Sequence, residues 1–249
     1  MTDILLLCIA SFAAGALNAV AGGGTFLTFP ALVYAGIPPI VANATATLTA
    51  LPGYIGSAWA FRHDLRREGS LSIRAILLVS VTGGLLGSVL LLMTSDRAFS
   101  GLVPWLLFVA TLLFAFGPSA IRMMQSKGIG VAGPFVSAAA IFAVSIYGGY
   151  FNGGLGIMLL ATLGLLGYAD LHGMNGLKSI LSSILSLASA ITFAVAGLIV
   201  WDVAIPMAIA AASGGYAGGY LSRRITKTGL LRAFVVLIGL TMTTLFFLR

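Results

Sequence analysis

With 249 residues, 59% hydrophobic and 8% charged, this chain has too little polar surface to cover a water-soluble core; an ordinary soluble domain is roughly one-quarter charged. A bilayer accepts such a surface, and the 32 glycines suit it as well, since glycine is commoner in transmembrane helices than in soluble ones. The formal charge of +7 does not point to nucleic acid, because the basic residues stand in short loops between apolar runs rather than among aromatics on a polar face.

The first apolar run, 4–21, has Asp3 where a secretory signal would carry positive charge, so it is expected to belong to the fold. It holds Cys8, the only cysteine, which leaves no intrachain disulfide or thiolate metal site and reads as a small buried apolar residue. The second run, 24–36, follows Gly22-Gly23-Gly24 directly and falls short of the ~20 residues needed to span ~30 Å of hydrocarbon. Runs at 41–61, 71–93 and 99–121 complete a first set. A second set falls at 131–152, 155–168, 171–198, 203–221 and 230–248, and again its second member is short and follows a glycine break, Gly153-Gly154-Leu155-Gly156. No run shows the period-two alternation of a membrane β-strand. The expected fold is therefore an all-α integral membrane protein with about five hydrophobic segments in each half.

The two sets match in order. Gly15-Ala16-Leu17-Asn18 and Gly22 correspond to Gly149-Tyr150-Phe151-Asn152 and Gly156 at a shift of 134, and Asn43 corresponds to Asn175 at 132. Thr82 to Ser88 corresponds to Ser213 to Gly219 at 131. The chain reads as two repeats, 1–127 and 128–249, within one membrane domain. The loop after the third segment carries Arg62, Arg66 and Arg67, whereas its counterpart, Gly197 to Asp202, has no basic residue. The loop after the fourth segment holds only Asp96 and Arg97, whereas its counterpart carries Arg223, Arg224 and Lys227. Positive charge has changed loops between repeats, as inversion requires under the positive-inside rule. Placing 62–74, 122–130 and 222–232 in the cytoplasm puts ten of the thirteen basic residues inside. Asp3, Asp96, Asp170, Asp202 and both termini are then expected on the periplasmic side.

Inverted-repeat transporters bind substrate where discontinuous helices of the two halves meet near the midplane. The breaks at Asn18 to Thr25 and Asn152 to Gly156 are the candidates. Their glycines let backbone amides approach a ligand, and the helix after each break presents free N–H groups and a positive dipole end to an anion. Asn18 and Asn152 hold equivalent places, and an amide in hydrocarbon needs a partner. Gly83/Gly87 and Gly215/Gly219 read instead as close-packing positions. Asn43, with Thr45 behind it, and Asn175 either cap a helix or face substrate. Lys178 lies two turns into an apolar run. It either contacts an anion along a pathway, snorkels to the outer interface or pairs with Asp170. Asp170 and His172 read as a polar turn; Trp59, Trp105 and Trp201 suit an aromatic belt.

The stretches Asn18 to Thr25, Phe29-Pro30, Ala42-Asn43-Ala44-Thr45 and Gly53 to Trp59 resemble the first half of the sulfite exporter TauE/SafE family. Gly148 to Gly154 and Asn175-Gly176-Leu177-Lys178 resemble its second half. The likeness covers nearly the whole chain. It implies a bacterial inner-membrane exporter of sulfite or an organosulfonate such as sulfoacetate, centred on paired breaks at Asn18, Gly22 to Gly24, Asn152 and Gly156. The second half departs from the first in lacking a triple glycine, so the halves need not contribute equally.

The reading is a secondary transporter working by alternating access. Its substrate-binding candidates are Asn18, Gly22, Gly23, Gly24, Thr25, Asn43, Thr45, Asn152, Gly153, Gly154, Gly156, Asn175, Lys178 and Ser179. An anion channel would share that site. A membrane enzyme or electron carrier lacks its residues: a second cysteine, a serine–histidine dyad or aspartate pair in a membrane segment, or histidines within helices. No catalytic residue, metal or cofactor is predicted. The expected partners are a small anion and the bilayer, with a homodimer left open.

Overall fold

The computed structural model describes residues 2–20, 22–65, 70–126, 133–168, 170–222 and 229–248. Arg66, Arg67, Arg223, Arg224 and Lys227, on which the charge exchange between repeats largely rests, lie outside the described residues, as does Lys127. Ten helices follow one another, with no strand among the described residues: α1 (Thr2–Val20), α2 (Thr25–Tyr34), α3 (Pro39–Ala60), α4 (Ile73–Leu92), α5 (Asp96–Ser126), α6 (Pro134–Tyr150), α7 (Leu155–Leu165), α8 (Leu171–Val195), α9 (Trp201–Ser222) and α10 (Gly229–Phe247). Each predicted apolar run becomes one helix, because backbone groups out of water must satisfy one another within the segment.

The helix boundaries follow local chemistry. Pro39 and Pro134 occupy first-turn positions, where a missing N–H loses nothing. The Ser72 hydroxyl accepts from the Ala75 N–H at 3.2 Å and opens α4. The short helices α2 and α7 stop alike, with Ile37 N–H returning to the Leu32 carbonyl and Tyr168 N–H to the Leu163 carbonyl, each at 3.1 Å. These 6→1 bonds satisfy terminal carbonyls and reverse the chain.

Three helical stretches are long and apolar enough to cross a membrane: Ile73–Leu92, Asp96–Gly117 and His172–Val195. Large apolar side chains such as Leu78, Phe116, Val195, Ile209 and Leu237 point outward, as lipid-facing residues do. The packing exchanges helices between halves, with α1 running along α9 and α6 along α4. Both crossings use small residues. A Cβ on Gly214 would collide with the Phe12 carbonyl, and one on Gly87 with the Ile146 carbonyl. The close-packing reading of Gly83, Gly87, Gly215 and Gly219 holds at all four positions. Between these layers α3 packs on α8, and α5 packs on α10. Cys8, expected to be buried, is half-buried on α1.

One expectation is corrected. The end of α3 lies beside the start of α8: the Phe61 and His172 rings stack 6.0 Å apart, and a Cβ on Gly173 would stand 2.9 Å from the Asp64 carbonyl. Asp170 therefore shares the face of Arg62 and Asp64 rather than the opposite one. The reason is parity: α7 returns the chain after the break to the face from which α6 started. Asp170 accepts from the His172 and Gly173 N–H groups at 3.2 and 3.0 Å, capping α8.

Candidate functional site

Two helices stop inside the protein, and their ends meet. After α1 the chain turns through Gly22 at φ +81°, and before α7 through Gly154 at φ +76°, left-handed values that a side chain makes costly. Gly22 and Gly156 touch backbone to backbone. The Asn18 carboxamide oxygen accepts from the Gly24 N–H at 2.6 Å, closing the first break around its own amide. No Cβ fits at Gly24, because the Ala14 carbonyl and the Asn18 side chain fill that space. In the second break the Tyr147 hydroxyl donates to the Gly153 carbonyl at 2.6 Å, and the Phe151 ring lies where a Gly153 side chain would be.

The second asparagine has different partners. Asn152 Oδ1 accepts from the Tyr54 hydroxyl at 3.3 Å, and its Nδ2 donates to Ser186 Oγ at 3.2 Å. The Asn18 and Thr25 side chains also lie close to the Tyr54 hydroxyl. The Thr25 hydroxyl itself is buried without a hydrogen-bond partner among the described residues. Asn18, Thr25, Tyr54, Asn152 and Ser186 thus form one buried polar centre drawn from both breaks and from α3 and α8.

Lys178 reaches this centre from α8. It is 0% exposed; its ammonium donates to the Asn18 backbone carbonyl at 2.8 Å and to Asn175 Oδ1 at 2.9 Å. It neither snorkels nor pairs with Asp170, which caps the helix instead. Ser179 donates to the Asn175 carbonyl at 2.7 Å and meets Ser57 Oγ at 2.9 Å. Asn43 works at the end of the other broken segment, donating from Nδ2 to the Tyr150 carbonyl at 3.0 Å, while its Oδ1 is buried without a partner among the described residues.

Of the predicted residues, the breaks, Asn175, Lys178 and Ser179 come together, and Asn43 borders them through the end of α6. Thr45 does not join them. Its hydroxyl accepts from the Val200 N–H at 3.2 Å and holds the start of α9. Tyr54, Ser57 and Ser186 join these residues and were not predicted. Ser179, Ser182, Ser186 and Ser189 repeat at three- and four-residue steps along one face of α8, a polar stripe that helical periodicity makes legible. All four are buried, and the Ser182 and Ser189 hydroxyls have no partner among the described residues. Tyr54 carried no such signal, because an aromatic in an apolar run reads as packing.

Cavities of about 650 Å³ by Phe26, Pro30 and Met242 and about 510 Å³ by Pro104, Trp105 and Phe247 are lined by other residues. Among the described residues no three of His, Cys, Asp and Glu gather to hold a metal ion. The site offers hydroxyls, amides and one lysine nitrogen, a donor set that suits an acceptor-rich anion.

Ten apolar helices, two of them beginning at facing breaks deep inside, define a multi-pass helical membrane protein. The family described as sulfite exporter TauE/SafE matches residues 7–245. A "Probable membrane transporter protein" of Haemophilus influenzae is 30% identical over 209 residues, covering 82% of this chain and 78% of that one. "Probable membrane transporter protein ORF9" of Sinorhizobium sp is 30% identical over 180 residues, 71% of this chain and 64% of its own length. "Probable membrane transporter protein YfcA" of Escherichia coli K12 is 28% identical over 209 residues, 81% and 75% of the two chains. No solved structure matches the chain. The chain belongs to the sulfite exporter TauE/SafE family, and it is a membrane transporter.

Proposed function

We propose that this transporter exports a small anion, sulfite or an organosulfonate such as sulfoacetate, across the bacterial inner membrane by alternating access. The observation that carries the reading is Lys178, a fully buried ammonium whose two hydrogen-bond partners are neutral, set beside the paired breaks. A buried cation beside open hydroxyl donors favours an anion and disfavours a cation or a neutral solute. Among the described residues two of the three ammonium N–H groups are engaged, and the hydroxyl of Ser182, one helical turn further on, has no partner. Sulfite and sulfonates present three oxygen acceptors to such a set. The sulfur chemistry of the cargo comes from the family.

The two repeats, 1–127 and 128–249, are taken as inverted, with both termini periplasmic. The packing supports this: exchanging the halves turns the α1–α9 contact into α6–α4 and returns α3–α8 and α5–α10 to themselves. Inverted repeats of this kind move against each other around a central site.

Thermal unfolding of the purified protein with sulfite, sulfate, sulfoacetate and taurine tests the reading. A ligand that binds only the native state raises its stability by mass action. Sulfite or a sulfonate should raise the midpoint, and the Lys178→Met variant should lose the shift. Equal midpoints with all four compounds would remove this substrate class.

A further inference from the structure

We propose that the Lys178 ammonium is a built-in cation, occupying at the C-terminal end of α1 the place that a free monovalent cation would otherwise take. The proposal concerns the protein's own charge and stands whether or not sulfite is the cargo.

The last four carbonyls of a helix have no partner within it, and they form the negative end of its dipole. In α1, which ends at Val20, Leu17 gives its carbonyl to the Gly22 N–H at 3.1 Å. The next carbonyl, that of Asn18, receives the ammonium at 2.8 Å, and Asn175 Oδ1 adds a second oxygen at 2.9 Å. Helix C-terminal ends and unwound carbonyls are the groups that inverted-repeat transporters use to coordinate a coupling cation. Here a tethered one fills such a position.

The other half shows that this is an addition to the repeat. At the end of α6, the carbonyl in the place of Asn18, that of Asn152, accepts from the Leu155 N–H at 3.3 Å, and the Tyr150 carbonyl two residues before it receives a neutral donor, Asn43 Nδ2. The residue that corresponds to Lys178 at the 132-residue shift of Asn43 and Asn175 is Ala46, a fully buried apolar residue. Two equivalent broken helices thus end differently, one on an amide and one on an ammonium. The consequence is a centre that carries its own +1 charge and needs no sodium to hold the end of α1.

The Lys178→Ala variant tests this by chemical complementation. Methylammonium should enter the space left by the side chain and raise the variant's unfolding midpoint by roughly 3 °C at about ten times its dissociation constant. Methanol and choline should not raise it, nor should methylammonium act on the unsubstituted protein. No response of the variant to methylammonium, or an equal response to methanol, overturns the proposal. The unsubstituted protein should unfold at the same temperature in sodium, potassium and choline chloride; a gain specific to sodium would also overturn it. Should the alanine variant not purify, Lys178→Met decides. It keeps all but the last atom of the side chain's length without its charge, and should lower the midpoint, whereas an unchanged midpoint would mean that Lys178 acts only as a spacer.

Discussion

Gly22 and Gly156 meet main chain to main chain where the two broken segments face each other. A Cβ on Gly22 would stand 2.7 Å from the Gly156 carbonyl carbon, and one on Gly156 would stand 2.6 Å from the Gly22 Cα. These residues are 134 apart and hold the same place in each half. The contact explains why glycine is needed on both sides, since real Cβ atoms do not approach other heavy atoms within 3.0 Å.

Gly156→Ala should therefore cost about 1–3 kcal/mol through overpacking, and Gly22→Ala a further ~1–2 kcal/mol because its φ is left-handed. Gly101→Ala is the control: nothing lies within 4 Å of its Cβ position in α5, and helix propensity favours alanine by roughly 0.5–1 kcal/mol. Thermal unfolding in detergent checks the order, and an undisturbed Gly156→Ala variant would refute the contact.

Asn152 joins Tyr54 to Ser186, so removing its amide leaves two buried hydroxyls without that partner. Asn152→Ala should lower stability by about 1–3 kcal/mol and weaken anion binding. Tyr54→Phe removes one hydroxyl and keeps the ring, and should reduce binding with a smaller stability loss. Titration calorimetry with sulfite separates the two effects.

Thr45 gives the opposite pattern. Its hydroxyl supports the Val200 N–H, and Thr45→Val should cost about 1 kcal/mol of stability with anion affinity unchanged. A loss of affinity without a loss of stability would return Thr45 to the binding site.

Ser57 and Ser179 join α3 to α8, with hydroxyl oxygens 2.9 Å apart. If the two repeats move against each other along this seam, a Ser57→Cys/Ser179→Cys pair in a Cys8→Ser background should stop flux when oxidised and restore it when reduced. Flux that is indifferent to oxidation, with the bond verified by mass spectrometry, would put the moving boundary elsewhere.

No Asp or Glu falls in the middle of an apolar run, so export of an anion is expected to follow the membrane potential. One charge crossing 100 mV gains about 2.3 kcal/mol. Flux from proteoliposomes should fall when the potential is collapsed. Flux that ignored the potential and followed a proton gradient would contradict uncoupled export.

Much of this was legible beforehand because it is local. Apolar runs, proline at first turns and glycine before short segments specify ten helices and two breaks from nearest neighbours alone, since a chain without water satisfies its backbone within each segment. Asn18 and Lys178 stood out because polar groups are rare in such runs. The partners of those groups were not legible. That Lys178 donates to the Asn18 carbonyl, 160 residues away, depends on α8 lying beside the end of α1. Nothing in either segment encodes that distance. Asp170 was assigned to the wrong face because charge was counted without following the chain back through α7. Tyr54 gained its role only when α3 brought its hydroxyl to Asn152. The sequence by itself determined the segments, their breaks and the presence of a lysine within an apolar run; its burial came from the structure. Tertiary structure decided which carbonyl holds that cation, which glycines touch and which residues share the centre, because those relationships arise where helices distant in the chain cross.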